Sequence, residues 1–407
     1  MRNDCDICVI GGGAVGKTSA LALAREGYRV TLLSPEGEGA TYAPSADAPW
    51  DLRVYALNHV AHRLLSSLKV WDAMDASRIA PVDAMAVHGD DAARGHLGFD
   101  AYGARVGALA WIVEDANLNH ALDSALRFAN GVKTLKGRAV ALVRNHLHAE
   151  ITLDNGNQIS ASLVLGADGA NSWVRAQADI GMDYRSYDQR AVVANFSCTN
   201  PHHGVASQWF LGADGIVALL PLPGNRVSLV WSAPEALAER LLSEPADRLA
   251  ERLGALPGQT LGEFNMLPPA SPRAFPLRLI RSHSLVAHRV ALVGDAAHVV
   301  HPLAGQGMNL GFADIDALLA ALIEQGKDAD CGDDRVLARY ARLRKEEVLL
   351  MQLTTDGLHR LFASELLPLK MLRNAGMSLV NKLPFLKQRL VSHALGRSHH
   401  SSVNERT

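Results

Sequence analysis

Two phosphate-binding patterns overlap in the segment GGGAVGKTSA. Gly11, Gly13 and Gly16 have the spacing G-x-G-x-x-G, which is typical of proteins that hold a dinucleotide pyrophosphate on main-chain N–H groups. Gly16, Lys17 and Thr18 complete a second pattern, G-x-x-x-x-G-K-S/T, in which a lysine reaches the phosphates of a nucleoside triphosphate. The first pattern predicts a flavin or nicotinamide protein, and the second predicts an NTPase.

The flanking sequence favours the dinucleotide pattern, although a P-loop would occupy the same context. CDICVI at 5–10 and YRVTLL at 28–33 are apolar and β-branched, which predicts two buried strands. Apolar residues recur at helical spacing between them, from Ala14 until Gly27 ends the helix. This strand–helix–strand unit turns a helix N-terminus towards negative charge. We therefore expect the three glycines and Ala14 to bind the cofactor.

The end of the second predicted strand departs from the dinucleotide pattern. A carboxylate normally follows this strand and holds the ribose hydroxyls, but Ser34 stands there. Either Ser34 makes a weaker single hydrogen bond to the ribose or Glu36 substitutes for the usual acid. The sequence leaves open which of them acts, and whether the substitution weakens retention of the cofactor.

Two further strands end in glycine and aspartate. SLVLGADGANSWVR at 162–175 contains Asp168, and the strand at 290–293 is followed by Gly294 and Asp295. Ligands of α/β proteins bind at the carboxyl edge of the sheet, and an ionised aspartate there can make two hydrogen bonds to a sugar-like diol. Both strands would also serve as the Walker B strand of an NTPase, so these motifs alone do not exclude that class.

The three motifs together resemble the group A flavoprotein aromatic hydroxylases, which have the para-hydroxybenzoate hydroxylase fold. They occur in the family's order and at matching separations. The resemblance implies FAD as cofactor, with Asp295 on its ribityl hydroxyls and Asp168 ordering backbone near the pyrophosphate and the path of the nicotinamide donor. It also implies that the segment from Pro302 to Asn309 lies along the isoalloxazine ring.

The glycines of that last segment suit a flat ring. Gly305, Gly307 and Gly311 lack the side chains that would keep the ring from the backbone. We expect Met308 and Asn309 to open a helix whose N–H groups and positive dipole end face the N1–C2=O edge of the ring. This edge becomes negative on reduction, so the helix would stabilise the reduced cofactor.

Three more segments resemble the FAD-dependent hydroxylases of ubiquinone biosynthesis. They are WDLRVYALNHVA at 50–61, WIVEDANLNHALDSAL at 111–126 and the closing segment at 366–396. The resemblance implies that Arg53 lies by the flavin, although a surface arginine at a helix start is the simpler alternative. It further implies that NAD(P)H reduces FAD, that O₂ forms a hydroperoxide at flavin C4a, and that this hydroxylates a polyprenylated phenol.

The sequence shows no obvious catalytic acid or base. His298, His301 and Tyr187 are candidates by residue type only. The resemblance suggests the backbone carbonyl of Pro302 as a contact for the substrate ring. We therefore name His301 and Pro302 as the candidate catalytic residues, and we expect no metal ion, because the H-x-x-H spacing lacks further ligands nearby.

The predicted architecture is α/β, with a Rossmann-like FAD-binding domain interleaved with a mostly antiparallel β-sheet substrate domain, plus C-terminal helices. Strand-like runs at 190–198, 206–212 and 215–233 would form the substrate sheet, with a hairpin in the last of them. Trp209 and Trp231, with Phe210 and Leu220, either line the active site or pack in the core. The expected boundaries are 1–72, 104–178 and 283–345 for the FAD-binding domain, 73–103 and 179–282 for the substrate domain, 346–396 for the C-terminal helices and 397–407 for a disordered tail.

Composition limits the partners and the compartment. The 407 residues are 48% hydrophobic and 20% charged with a net charge of −2, which indicates a packed globular protein without a nucleic-acid footprint. Four cysteines and the absence of a signal-like or membrane-spanning run predict a cytoplasmic protein. The apolar, lysine- and arginine-bearing segment at 346–396 either docks onto the FAD-binding domain or a second copy, which helical stripes usually do, or makes a peripheral contact with the inner membrane or a biosynthetic complex.

Two other functions remain compatible with the sequence. A hydroxylase of the same fold that acts on a small soluble aromatic acid would need a cationic clamp, which Arg185, Arg190 and Arg226 could supply. A nucleotide-binding module, or a non-catalytic partner in a hydroxylase assembly, belongs to a different class. The P-loop pattern predicts that such a module binds ATP or GTP with Mg²⁺.

Overall fold

The computed structural model describes residues 3–35, 48–91, 94–301, 306–326 and 329–363. Within these ranges the chain forms two large sheets, one small sheet and helices packed against them. Pro302, Gly305, Glu36, the segment 364–396 and the tail at 397–407 lie outside the described residues.

The first large sheet is the nucleotide-binding layer. Its strands are β1 (Cys5–Ile10), β2 (Val30–Ser34), β8 (Val132–Lys136), β9 (Ala139–Arg144), β10 (Ala149–Leu153), β11 (Gln158–Gly166), β18 (Val286–Ala287) and β19 (Val290–Leu292). Their order is β18-β19-β11-β1-β2-β8, with β10 pairing β11 and β9 pairing β10. The central strands are continuous apolar runs, as expected for a parallel sheet covered on both faces.

The second large sheet is mostly antiparallel, as predicted. Its strands are β5 (Ala84–Asp91), β6 (Arg94–Asp100), β12 (Met182–Cys198), β13 (Val205–Phe210), β14 (Ile216–Leu222), β15 (Arg226–Pro234), β16 (Phe264–Met266), β17 (Arg273–Ser282) and β20 (His298–Val299). Their order is β20-β17-β12-β15-β14-β13-β5-β6, and β16 pairs with β12. The predicted hairpin is confirmed, because β14 and β15 pair antiparallel on either side of Pro223 to Asn225.

A three-stranded sheet and the helices complete the architecture. The small sheet contains β3 (Val54–Leu57), β4 (Ile79–Val82) and β7 (Ala110–Glu114), with β7 in the middle. The helices are α1 (Ala14–Arg25), α2 (His59–Ser67), α3 (Asp115–Phe128), α4 (Trp173–Gln177), α5 (Glu235–Ser243), α6 (Ala246–Gly254), α7 (Gln306–Gln325) and α8 (Asp334–Ala363).

The three glycine motifs meet at one edge of the first sheet. β1 pairs parallel with β11, and β11 pairs parallel with β19. Parallel neighbours end at the same edge, so Gly11, Asp168 and Asp295 all follow strand ends on that edge. Motifs that are more than 100 residues apart in sequence are therefore neighbours in the fold.

The second large sheet buries one of its two faces under α5 and α6. Trp209 and Trp231 lie in this core, 1% and 4% exposed, and the indole N–H of Trp209 donates to the carbonyl of Pro257 at 2.9 Å. Side chains alternate along a strand, so Phe210 and Leu220 belong to the opposite face. The two tryptophans are therefore core residues and do not line a site.

This placement predicts that Trp209→Ala destabilises the fold. Removing a buried tryptophan should lower the free energy of unfolding by about 3–5 kcal/mol, because a cavity replaces it. The fraction of folded protein that binds FAD should not change. Thermal melts with FAD titration of the folded fraction would measure both, with Phe128→Ala, an 86% exposed side chain on α3, as the control. A loss of FAD binding without loss of stability would contradict the assignment.

Candidate functional site

The first glycine turn has a main chain that only glycine can provide. Gly11 has a φ of +128°, and a Cβ there would lie 2.2 Å from the carbonyl oxygen of Ala167. A Cβ on Gly16 would lie 1.9 Å from the carbonyl oxygen of Gly11, where α1 leaves the turn. Gly13 is the N-cap of α1 and has no side-chain cap, and a Cβ there would meet no described atom within 4 Å. The N-terminal N–H groups of α1 therefore face open space that an anion can occupy.

The position of Lys17 decides against a P-loop. Its ammonium lies 2.7 Å from Asp123 Oδ1 and 3.2 Å from Asn119 Oδ1, both on α3. The lysine is buried, and Thr18 is fully buried in α1. A P-loop lysine must instead reach the phosphates, so the second pattern in the segment is incidental to the packing of α1 on α3.

Ser34 lies where the dinucleotide fold usually places an acid. It is the last residue of β2 and is buried, and a Cβ on Gly12 would lie 2.3 Å from its hydroxyl oxygen. A cavity of about 30 Å³ next to it is also lined by Lys17, Arg127 and Thr134. This cavity therefore presents a hydroxyl beside the Lys17–Asp123 ion pair and Arg127, and a contact of Ser34 with a cofactor remains a prediction.

Asp168 holds the second turn together. Its carboxylate accepts a hydrogen bond from the Ser172 hydroxyl at 2.5 Å and another from the Val174 N–H at 3.0 Å. Arg175 on α4 then donates to the carbonyl of Ala296 at 2.9 Å, which links the second turn to the third. Asp168 thus orders backbone, and its contact with a cofactor remains a prediction.

Asp295 lies in the third turn, at the carboxyl edge of the sheet. Its neighbours Gly294 and Ala296 are buried, whereas the Asp295 side chain is accessible to solvent. The surrounding protein nevertheless desolvates the carboxyl group and raises its pKa above the ordinary value. An accessible group can be desolvated in this way where it lines a concave space. This geometry suits a carboxylate that binds the hydroxyl groups of a ligand.

Arg53 interacts electrostatically with the same carboxylate. Its side chain is exposed, and its interactions with Tyr55, and then with Asp115 and Asp295, raise its pKa. The guanidinium lies 5.7 Å from the centre of the Tyr55 ring. Since Arg53 and Asp295 interact electrostatically, these two expected cofactor residues place opposite charges in one cleft.

Two carboxylates, one half-buried and one buried, position the segment that carries Arg53. Asp51 accepts from the N–H of Arg53 at 2.9 Å and from the N–H of Ala116 at 3.0 Å. Glu114 accepts from the N–H of Asp51 at 2.6 Å and pairs with Arg78 at 2.6 Å. Sequence reasoning did not find Glu114 or Arg78, although a glutamate at the end of an apolar strand was a signal that it has a buried partner.

The start of α7 is tied to the strand that leads from Arg53. Asn309 is buried, and its Oδ1 accepts from the N–H of Asn58 at 2.9 Å while its Nδ2 donates to the carbonyl of Ala56 at 2.8 Å. The helix begins at Gln306, two residues earlier than expected. The Asn309 side chain is therefore occupied by the protein, and only its main chain is available to a cofactor.

The described glycines of this segment have different roles. A Cβ on Gly307 would meet no described atom within 4 Å, which agrees with a ring approaching the backbone there. A Cβ on Gly311 would lie 2.8 Å from a Val15 methyl group and 3.2 Å from the Gly294 Cα. The expectation that Gly311 makes room for the ring is therefore wrong, because this glycine lets α7 pack against α1 and the third turn. Met308 is half-buried against the apolar cluster under α1.

His301 is fully buried. Its ring packs edge-on against Tyr187 at 4.9 Å, and its Nε2 lies 3.4 Å from Gln189 Oε1. His298 is also buried and lies 2.9 Å from Asp314. The two histidines of the H-x-x-H pattern therefore have different neighbours, and a catalytic role for His301 remains a prediction.

The fold and site define an α/β dinucleotide-binding protein with an additional, mostly antiparallel sheet. The chain belongs to the FAD binding domain family, whose model matches residues 4–351. It is 36% identical over 394 residues to the ubiquinone hydroxylase UbiL of Rhodospirillum rubrum, covering 96% of this chain and 89% of that protein. It is also 36% identical to the 3-demethoxyubiquinol 3-hydroxylase of Escherichia coli, covering 96% and 98% of the two chains.

Solved structures share the fold. The p-nitrophenol 4-monooxygenase PnpA of Pseudomonas putida has a TM-score of 0.75 at 18% identity and covers 98% of this chain and all of its own. The probable FAD-dependent monooxygenase pqsL of Pseudomonas aeruginosa has a TM-score of 0.73 at 22% identity, covering 92% and 99% of the two chains. The predicted fold class is therefore confirmed.

The site fits the cofactor that defines the family, and FAD is therefore confirmed as the cofactor. The N-terminus of α1 has no side-chain cap at Gly13, so its N–H groups can hold a pyrophosphate. Asp295 offers an accessible carboxylate at the same edge of the sheet. Arg53 supplies a positive charge to the same cleft. These are the donors, acceptor and charge that a flavin dinucleotide requires.

This site predicts opposite effects of Asp295→Asn on FAD affinity and apoprotein stability. Losing charged hydrogen bonds worth about 1.5–3 kcal/mol should weaken FAD binding roughly 10- to 150-fold. The raised pKa of Asp295 means that its ionised form is disfavoured in the apoprotein, so stability is lost as pH rises through that pKa. At neutral pH the variant apoprotein should melt at a higher temperature than the parent.

Quenching of FAD fluorescence and thermal melts at pH 7 would measure both effects. Asp247→Asn, an exposed carboxylate on α6, is the matched control. Unchanged FAD affinity in the Asp295 variant would refute its assignment as a flavin ligand.

Proposed function

We propose that the protein is an FAD-dependent monooxygenase that hydroxylates the aromatic ring of a polyprenylated phenol in ubiquinone biosynthesis. The observation that carries this proposal is 36% identity to two ubiquinone-pathway hydroxylases along almost the whole chain. A third relative, the COQ6 ubiquinone biosynthesis monooxygenase of Drosophila melanogaster, is 32% identical over 96% of this chain.

The chain's own residues would bind and polarise the cofactor. Bound FAD supplies the transfer of electrons from NAD(P)H and the activation of O₂. Gly13 and Ala14 would hold the pyrophosphate on main-chain N–H groups, and Asp295 would accept hydrogen bonds from the ribityl chain. The N-terminus of α7 near Gly307 would stabilise negative charge on the ring edge, which favours the reduced state.

The second sheet offers an apolar wall to the substrate. Ala218, Leu220 and Val230 are half-buried and alternate with core residues such as Leu219 and Leu229. They therefore lie on the face that is turned away from α5 and α6. Leu220 packs against the apolar cluster that contains Val82 and Ile112, and the half-buried Ala218 and Val230 would suit an isoprenoid tail.

The three arginines considered for a small-acid clamp have protein partners. Arg185 forms an ion pair with Asp356 on α8, and Arg190 lies 2.5 Å from Glu235. Arg226 donates to the carbonyl of Pro223 at 2.9 Å. Since these contacts engage each guanidinium separately, they favour the apolar substrate over a small aromatic acid.

We propose the interleaved domain boundaries given above and a cytoplasmic location at the membrane surface. None of the described helices is long and apolar enough to cross a bilayer. A polyprenylated substrate resides in lipid, because each buried methylene contributes about 0.8 kcal/mol. The segment 346–396 would provide the membrane contact, and residues 346–363 of α8 are its described beginning.

Product analysis of the purified holoenzyme tests this function. NAD(P)H consumption would be followed under ¹⁸O₂ with a detergent-dispersed polyprenylphenol and, in parallel, with 4-hydroxybenzoate. We expect consumption to rise with the prenylphenol and its product to gain one labelled oxygen atom. Labelled product from the small acid alone would overturn the proposed substrate, and the absence of labelled product from both would overturn the proposed reaction.

A further inference from the structure

A buried carboxylate lies directly behind the turn that presents Asp295. Asp314, on α7, accepts a hydrogen bond from the main-chain N–H of Gly294 at 2.8 Å. Its other oxygen accepts from Arg344 Nε at 2.7 Å, and His298 Nε2 lies 2.9 Å from the first oxygen. Three segments of the chain thus meet at one carboxylate group.

The cluster keeps Asp314 ionised. Asp314 is 0% exposed, and Arg344 is 2% exposed. Burial alone would raise the pKa of Asp314, but His298 and Arg344 outweigh it and hold the pKa below its ordinary value. A carboxylate oxygen of Asp314 therefore accepts from the N–H of Gly294 in the interior of the protein.

The helix α8 braces this arrangement from outside. Arg344 also donates to the carbonyl of Leu310 at 3.3 Å, and the Tyr340 hydroxyl donates to the carbonyl of Leu292 at 2.7 Å. α8 therefore binds both the strand that leads into the third turn and the helix that follows it. Further along, Gln352 donates to the carbonyl of Ile280 at 3.3 Å in the second sheet.

We propose that Asp314 is a positioning residue for FAD, which acts through the Gly294 N–H to fix the direction of the Asp295 side chain. Gly294 directly precedes Asp295 and has a φ of +61°. A rotation of the backbone at Gly294 would therefore turn the Asp295 carboxylate in a different direction. The proposal rests on the assignment of Asp295 as a flavin ligand.

The charge and the hydrogen bonds of the cluster distinguish a positioning role from simple packing. A buried ion pair contributes little net stability compared with apolar residues of the same volume, so packing alone does not require it. Gly294 and Arg344 donate to different oxygens of Asp314, so asparagine at position 314 would turn an NH₂ donor towards one of these two donors. The Asp314→Asn variant should therefore retain the volume of the side chain and lose the fixed turn.

A double-mutant cycle tests the proposal. The dissociation constant of FAD would be measured for apoprotein of Asp314→Asn, Asp295→Asn and the double variant, with far-UV circular dichroism as the check of folding. We expect Asp314→Asn to weaken FAD roughly tenfold, or about 1.4 kcal/mol. The double variant should bind FAD no more weakly than Asp295→Asn alone, because Asp314 then has no ligand to position. Glu346→Gln, an exposed carboxylate on α8, should bind FAD like the parent.

Each contrary result has a distinct meaning. Additive losses in the double variant, or parental affinity in Asp314→Asn, would overturn the positioning role and leave Asp295 as a ligand. Parental affinity in Asp295→Asn would overturn both. Should Asp314→Asn not fold, Arg344→Lys enters the same cycle, because lysine keeps the charge but lacks the planar guanidinium that reaches both Asp314 and the carbonyl of Leu310. The hydroxylation assay with prenylphenol stands apart from these outcomes.

Discussion

The parallel pairing of β19, β11 and β1 is the constraint on which the site depends. It brings three strand ends to one edge, so that turns from distant parts of the sequence form one crevice. The contacts between these turns are close: Arg175 of the second turn binds the carbonyl of Ala296 in the third, and Gly311 lets α7 approach both Val15 and Gly294. A side chain at Gly311 would push α7 away from Val15 and Gly294.

The crevice is shaped by groups that do not face it. Asp51 aligns the backbone of Arg53 with the start of α3, and Asn309 ties α7 to the strand beside it. Asp314 holds the third turn through the N–H of Gly294. The exposed charges of the cleft are therefore supported by polar groups that are wholly or partly buried, and these groups fix the backbone from which the solvent-facing side chains extend.

Strands, helices and glycine turns could be predicted from the sequence, because neighbouring residues determine them. Contacts between distant segments could not. The first strand, predicted at 5–10, is Cys5–Ile10, because apolar β-branched runs and glycine turns are properties of neighbouring residues. The ion pair of Lys17 with Asp123 joins residues far apart in the chain, so the lysine could be mistaken for a phosphate ligand. The partners of Asp314 escaped notice for the same reason, although an aspartate in an apolar helix was a visible signal.

We infer that the turn at Gly13, the carboxylate of Asp295 and the start of α7 form one FAD site. A crystal structure of the protein with FAD would test it most directly. We predict that the pyrophosphate lies over the N-terminus of α1, the ribityl chain at Asp295 and the ring along the backbone at Gly307. Phosphates bound at Lys17, or side chains filling the crevice between α1 and α7, would contradict the account.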